Sequence, residues 1–444
     1  MKLNYKRTVL VGLAFMSISA FWQMYDGELP LILTNPNTFN LGDTWTGVIM
    51  ALDNVLAIFL LPFFGNLSDK ANTRIGKRMP FIIFGTVVAA FMLMALNIAD
   101  RAVNLPFFIA ILFVLLLAMA VYRSPAVALM PDLTPNHLRS KGNAVINLLG
   151  AVGGAYSLVM VMLFSESPSP ENPHPDHFML FASIIIVMVV AVAILFLTIK
   201  EKKVAHIVHE EITAYERESG EKLEVNIAPD EEEEETNLKK IFSGGLFVGL
   251  DAPVKRSMIY LLASIFLWFT AYNAVTTAFS RYARNVWLIE GGGYAQMLMV
   301  AMVTAIIAFI PIGNVASRVG RKKTILFGLI LMTVCYGMAA LLAAPHPVMY
   351  VLFALIGVGW ASINVNSYPM VVEMSKGFNI GKFTGTYYIF SMSAQVLTPI
   401  LSGFLLEHVS YRTLFPYAVV FSILAFCTMS QVRHGDNLAF KKGK

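Results

Sequence analysis

Four ionisable side chains fall inside long apolar stretches of this 444-residue chain: Asp26, Asp53, Arg123 and Asp132. A charge at the centre of a bilayer costs about 3 kcal/mol or more. Side chains of this kind at such positions therefore point to chemistry, either moving a proton or holding a polar ligand. Asp53 lies among Ala51, Leu52, Val55 and Leu56. Burial there disfavours the charged carboxylate, which suits Asp53 to exchange a proton; the bland alternative is one half of a fixed ion pair. Trp22, Tyr25 and Asp26 share one face of a helix. An aromatic ring beside a carboxylate fits a sugar, since the ring covers the apolar face of a pyranose and the carboxylate accepts hydroxyl hydrogen bonds. For Trp22 the alternative is anchoring at the membrane interface. Glu28, nearer the outer end of the same stretch, is expected to face water. Arg123 keeps its proton and needs an acid, for which Asp53 and Asp26 both qualify. Asp132 follows nine residues later, about 13 Å along a helix, and is expected to pair with Arg139 as part of an inner gate.

The second half of the chain has no comparable mid-span acid and offers neutral hydrogen-bonding groups and aromatics instead. Trp268, Tyr272, Asn273 and Thr276 form one set, Trp360, Asn364, Ser367 and Tyr368 a second, and Tyr388, Ser391 and Gln395 a third. Such stripes also serve as packing glue between membrane helices. Ionisable groups in one half and neutral hydrogen-bonders in the other suit proton coupling in the first half and ligand binding shared by both.

The elements that must position these residues follow from composition. Apolar residues make up 57% of the chain and charged residues 14%, with a mean hydropathy of +0.66. Soluble domains carry about 45–50% and 25%, so a soluble enzyme is excluded. A span needs about 20 apolar residues of helix. Such stretches fall near 8–33, 45–64, 80–99, 105–130, 143–164 and 178–199, then near 257–279, 295–316, 324–343, 348–371, 383–405 and 412–430. Backbone satisfaction in lipid makes these twelve helices. The first is too long for a cleaved signal peptide and lacks a small-residue exit site. With the N-terminus inside, only Arg101, Arg281, Arg284 and Arg412 fall in outer loops, a strong positive-inside bias that puts both termini in the cytoplasm. Residues 200–256 hold 14 of the 28 acids, including the run 231–235, and read as a solvated linker. Within it Val204, Ile207, Val208, Ile212 and Tyr215 recur at helical spacing, an amphipathic helix on the inner membrane surface. Cys335 and Cys427 lie in apolar runs and form no disulfide framework. The histidines show no metal-ligand spacing, and no nucleotide-binding motif is present.

The two halves repeat. Gly65-Asn66-Leu67-Ser68-Asp69-Lys70, followed by Arg74, Gly76, Lys77 and Arg78, comes after the second stretch. Gly313-Asn314-Val315-Ala316-Ser317-Arg318, followed by Gly320, Arg321, Lys322 and Lys323, comes after the eighth. This resembles the signature inner loop of the major facilitator superfamily, with a few extra residues before Gly76 and Ser317 where the first copy has an acid. The resemblance covers the whole chain. It implies an all-α membrane protein of twelve transmembrane helices in two pseudo-symmetric six-helix halves. The domains expected are 1–199, the linker 200–256, and 257–444 with a tail. Asp69, Arg74, Lys77, Arg78, Asp132 and Arg139 become cytoplasmic gate candidates, with Asp69 able to reach bases or a helix N-terminus of the opposing bundle. Gly150 with Gly154, and Gly381 with Gly385, are spaced for close helix approach.

Three segments resemble the sugar–cation symporters, in both the sucrose/proton and the glycoside–pentoside–hexuronide branches. They are Ala51-Leu52-Asp53-Asn54 leading to Arg74–Pro80, Arg123-Ser124-Pro125 through Asp132 to Asn143, and Gly381-Lys382-Phe383-Thr384-Gly385-Thr386-Tyr387-Tyr388 with Gln395 and Pro399 behind. Leu115-Leu116-Leu117-Ala118 stands where sucrose carriers have an acid in span 4, and Asp53 lies further from the basic loop than the acids of melibiose-type carriers. Coupling is therefore argued from the residues present. The expected function is proton-coupled import of a disaccharide or related glycoside through the inner or plasma membrane. The partners are a sugar, a proton or sodium, and the bilayer; the chain is monomeric and takes no cofactor, metal or nucleic acid. The alternatives are a drug or metabolite exporter of the same fold, whose span 5 would carry a glycine–proline pattern that Gly150–Gly154 lacks, and a transport-inactive sensor or scaffold.

Overall fold

A bilayer offers the backbone no hydrogen-bond partners, so each apolar stretch must close its bonds internally as a helix. The computed structural model describes residues 3–135, 138–219, 251–374 and 380–436. In these residues the helices are α1 (Tyr5–Leu33), α2 (Asp43–Lys70), α3 (Met79–Arg101), α4 (Leu105–Asp132), α5 (Arg139–Phe164), α6 (Phe178–Thr198), α7 (Glu201–Ser219), α8 (Ala252–Val286), α9 (Tyr294–Val319), α10 (Arg321–Leu341), α11 (Val348–Met374), α12 (Ile380–His408) and α13 (Leu414–Ser430). All but α7 contribute the twelve segments long and apolar enough to cross a membrane. The acidic run 231–235 lies outside the described residues.

Local chemistry sets several ends. Asn4 and Asn104 accept from the backbone N–H of Arg7 and Phe107 at 3.1 Å, satisfying donors that a helix start leaves open. Pro80 and Pro106 stand in the first turns of α3 and α4, where a missing N–H does no harm. Prolines inside α2, α9 and α12 (Pro62, Pro311, Pro399) and inside α4 and α11 (Pro125, Pro131, Pro369) break the internal ladder and allow bends.

The helices gather into two compact units, residues 1–41 with 55–229 and residues 42–54 with 230–444. In the first, α1 packs on α5 and α6, and α3 on α4 and α6. In the second, α8 packs on α12 and α13, and α10 on α11 and α13. For these five helices of each unit the sequence repeat is thus a packing repeat. The close approaches rest on glycine. A β-carbon at Gly153 would lie 1.9 Å from Met16 O, one at Gly85 2.8 Å from Tyr122 Cβ, and one at Gly328 2.6 Å from Gly359 O. The expected pairs are only partly those used. Gly150 faces Ser19, but its close companion is Gly153, one turn away, and a β-carbon at Gly385 would meet no described residue outside its own turn within 4 Å.

The α7 helix is where the spacing of its apolar residues put it, but it is held by charge as well. Val208 is buried, while Ile207 is exposed. Glu201 is buried, and Glu211 pairs with Arg7 at 3.3 Å.

Candidate functional site

In the first unit the functional side chains come from α1 and α4. Tyr122 donates to Ala14 O at 3.0 Å and also meets Ser17 Oγ, and Ser124 donates to Leu61 O at 2.7 Å. These two bonds fix the rotation of α4, so that Arg123 between them projects its guanidinium over the Trp22 ring, 5.7 Å from the centroid. Trp22 meets Tyr25 edge-on at 5.2 Å, and Tyr25 stacks on Phe21 at 5.9 Å. The structure therefore brings together Trp22, Tyr25 and Arg123. Asp26 lies half-buried on the next position of the same turn. Trp22 Nε1 is buried with no acceptor among the described residues. Glu28 departs from expectation. It is 1% exposed and accepts from Ser165 Oγ at 2.8 Å, because the segment after α5 folds back over the end of α1. Asp53, on the stretch of α2 that belongs to the second unit, is half-buried, and its Oδ1 accepts from Asn54 Nδ2 at 2.7 Å.

The second unit holds an aromatic cluster. Tyr272 of α8 and Trp360 of α11 stack face to face, with centroids 3.7 Å apart and planes 4° from parallel. Phe269 meets Trp360 edge-on at 5.3 Å and Tyr387 at 6.4 Å. Tyr387 in turn meets Tyr368 and Tyr388, each at 5.5 Å, and its hydroxyl lies 3.3 Å from Ser367 Oγ. Phe269 and Tyr387 were not among the expected contacts; their signal was one-turn spacing, Phe269 to Tyr272 and Tyr387 to Ser391. Next to Tyr272 in sequence, Asn273 has its Nδ2 buried with no acceptor among the described residues, while its backbone carbonyl takes the hydroxyls of Thr276 and Thr277. Asn364 is exposed. Gln395 turns back on its own helix, donating to Ser391 O at 3.4 Å. Trp268 is buried in the helix packing.

The signature loop is a charge cluster within the first unit. Arg78, 4% exposed, binds Asp69 and Ser68, and its Nε donates to Asp132 at 2.9 Å. Lys77 Nζ reaches Asp132 at 3.2 Å and Asp69 at 3.8 Å. Asp132 thus takes the bases at the start of α3; the side chain of Arg139 lies outside the described residues; and Asp69 has bases in its own unit. Arg74 is exposed. Glu201 caps the start of α3, accepting from the backbone N–H groups of Lys77, Arg78 and Met79 at 2.9 to 3.1 Å. A helix N-terminus favours a carboxylate there. The second unit repeats the arrangement. Arg321 at the start of α10 pairs with Glu373 near the end of α11 at 3.1 Å, and its backbone N–H donates to Asp436 at 2.7 Å. The signal was an acid following each sixth span, which the comparison of the two basic loops alone does not reach.

Arg281 also departs from expectation. It lies in α8 and not in a loop, is 1% exposed, and donates to Asp43 Oδ1 at 2.7 Å. Tyr411 donates to the other oxygen of Asp43 at 2.5 Å. Apolar counting ended this span at 279; the helix runs on because Arg281 finds a buried acid.

Residues 8–287 and 287–438 match the sequence profile of the Major Facilitator Superfamily, and the chain belongs to that family. It is a multi-pass membrane transporter, not an enzyme. Sucrose transport protein SUC4 of Arabidopsis thaliana is 29% identical over 155 aligned residues, 29% of this chain and 30% of that protein. The match thus spans less than a third of that curated relative. Two solved structures share the fold. The inward-open xylose transporter XylE from E. coli superposes with a TM-score of 0.64 at 14% identity, covering 95% of this chain and 94% of that one. A point mutant of the nucleoside transporter NupG gives 0.67 at 14% identity, covering 96% and 100%.

Proposed function

We propose that this transporter imports a sugar, a disaccharide or related glycoside, in symport with a proton. The observation that carries the reading is the Tyr272–Trp360 stack, with the amide of Asn273, next to Tyr272 in sequence, unpartnered among the described residues. A flat aromatic face suits the C–H side of a pyranose, and a buried amide without an acceptor suits a hydroxyl. The likeness to a sucrose transport protein supports the sugar. Trp22, Tyr25 and Asp26 supply a second aromatic-plus-carboxylate set, with Arg123 held over Trp22. Tyr368, Tyr388, Asn364 and Gln395 complete the proposed sugar contacts. In this reading Asp53 carries the proton, Asp26 and Arg123 tune its release, and the Asp69, Arg78 and Asp132 cluster gates the cytoplasmic side, with both termini in the cytoplasm of a cell or plasma membrane.

The test is uptake of labelled sucrose into vesicles bearing the full chain, with an imposed pH gradient, a sodium gradient, or neither. Accumulation driven by the pH gradient alone is expected. Accumulation driven only by sodium removes the proton, and outward movement of sugar driven by an inward proton gradient would make the protein an exporter. Asp53→Asn is expected to abolish accumulation while sparing exchange of labelled for unlabelled sucrose, because an amide cannot alternate between charged and protonated states. Full accumulation by this variant removes Asp53 from coupling.

A further inference from the structure

The segment between α5 and α6, residues 165–177, lies outside any helix and carries four prolines, Pro168, Pro170, Pro173 and Pro175. Prolines lower the entropy lost when such a segment is ordered, but they bring no backbone N–H, so side chains hold it down. All its anchors lie in the first unit, at the end opposite the signature loop. Ser165 Oγ donates to the buried Glu28 of α1 at 2.8 Å. Asn35 and Asn37, just past α1, donate to Pro173 O at 3.4 and 3.2 Å. Asp176 accepts from Asn97 and Arg101 of α3 at 3.2 and 3.0 Å. The last anchor differs in kind. Asp100 of α3, 1% exposed, meets an imidazole on each oxygen, His174 Nε2 at 3.1 Å and His177 Nδ1 at 2.9 Å. His177 is itself buried and stacks on Phe181 of α6, with centroids 6.0 Å apart. The proposed sugar and coupling residues use none of these groups.

We propose that His174 and His177 make residues 165–177 a pH-sensitive strap, clamped onto Asp100 in acid and loosened as pH rises through the range where histidine loses its charge. A carboxylate taken out of water needs a compensating charge. Arg101 is engaged by Asp176. The end of α1 brings Glu28 and the amides of Asn35 and Asn37, the start of α6 brings Phe178 and Phe181, and the exposed Glu166 and Glu171 of the strap are acids as well. With neutral imidazoles, Asp100, Asp176 and Arg101 carry one negative charge in excess, and a single proton on either ring cancels it. Asp176, held below its usual value, stays ionised throughout. Histidine changes charge between about pH 5 and 8, and a charged hydrogen bond is about twice as strong as a neutral one. A histidine that gains a carboxylate partner on folding adds stability that is present in acid and fades as pH rises through that range. The strap ties the ends of α1 and α3 to the start of α6, so the pH on that side of the membrane sets how firmly the three are joined. The inference needs neither the sugar nor the coupling ion of the proposed function.

The experiment reads the strap directly. Glu171→Cys, at an exposed position of the strap, is introduced into the full chain with Cys335→Ala and Cys427→Ser, and the purified protein in detergent carries a nitroxide there. Its electron paramagnetic resonance spectrum is recorded between about pH 5.5 and 8.5, the range that titrates histidine. The mobile fraction of the label in this parent is expected to rise about fivefold from the acid to the alkaline end. His174→Gln with His177→Gln is expected to hold the change within about twofold, and so is Asp100→Asn, which keeps the size and removes the charge. A parent that changes less than about twofold, or that loosens in acid instead, overturns the strap. So does a parent-sized response in the folded double variant or in Asp100→Asn, which would assign the titration to another group. If the buried His177 tolerates no change, His174→Gln alone decides. It is expected to cut the response to about half; a response equal to the parent's overturns the proposal.

Discussion

Asn273 is a proposed sugar contact that a single substitution tests. Its amide nitrogen is buried without an acceptor among the described residues, and it follows Tyr272 of the Tyr272–Trp360 stack in sequence. A buried donor left unmade costs stability. Asn273→Ala should therefore leave the melting temperature unchanged or slightly raised. The same change should weaken sucrose several-fold, in line with about 0.5–1.5 kcal/mol for one neutral hydrogen bond. Measuring half-saturation and melting on one purified variant separates the two roles, and a drop in melting temperature at unchanged affinity would make Asn273 a packing residue. Asp176, in the segment before α6, offers a pH test. Burial pushes its carboxyl up, but hydrogen bonds from Arg101, Asn97 and the Phe178 N–H outweigh that and hold it below its usual value. A lowered folded-state value stabilises the protein above the unfolded value of about 3.9, and the contribution is lost as pH falls through the folded one. Asp176→Asn should then melt slightly below the parent at pH 7, with the gap closing in acid. A gap that persists below about pH 3 would deny its ionic origin.

Helices meet where side chains let them, and the glycines divide accordingly. Gly153→Ala would drive a β-carbon to 1.9 Å from the Met16 carbonyl oxygen, whereas one at Gly385 would meet no described residue outside its own turn within 4 Å. Because backbone cannot yield as a side-chain tip can, Gly153→Ala should cut folded yield severely, by the equivalent of about 3 kcal/mol or more. Gly385→Ala should express like the parent. Comparable yields for the two would mean that α1 and α5 do not pack as described. The cap on α3 is a second element-level test. Glu201→Gln keeps the size but loses the charge facing three backbone N–H groups. It should cost about 1–2 kcal/mol, read as a lower melting temperature, and Asp436→Asn should act in the same direction on α10.

At the scale of the whole molecule, twelve crossings require the segments before α1 and after α13 to lie on the same side of the membrane. An impermeant reagent added to intact cells should label Glu171→Cys and His346→Cys but not Arg74→Cys and Arg321→Cys, which it should reach only once the membrane is opened. Labelling of positions 74 and 171 from one side would break the count of spans. The same-side positions are also those where basic residues concentrate, which is the basis for assigning that side to the cytoplasm.

Length and position of the spans, the twofold repeat and the family were legible in the sequence, because lipid leaves a backbone one solution and apolar length reports it directly. So was the chance that Trp22 and Tyr25 act as a ring pair, since helical spacing alone puts 22 and 25 on one face. What stayed hidden were partnerships between residues far apart in the chain. Arg281 read as a loop residue because its acid, Asp43, lies 238 positions away. Glu28 read as wet because Ser165, which covers it, belongs to another segment. Arg78, 54 positions before Asp132, reaches it with its guanidinium, a partner that spacing along the chain does not point to. Periodicity records which face of a helix is apolar; it does not record which helix arrives at that face. Whether a charge in an apolar run is a working group or a satisfied ion pair depends on its partner, and the partner is chosen by tertiary packing alone.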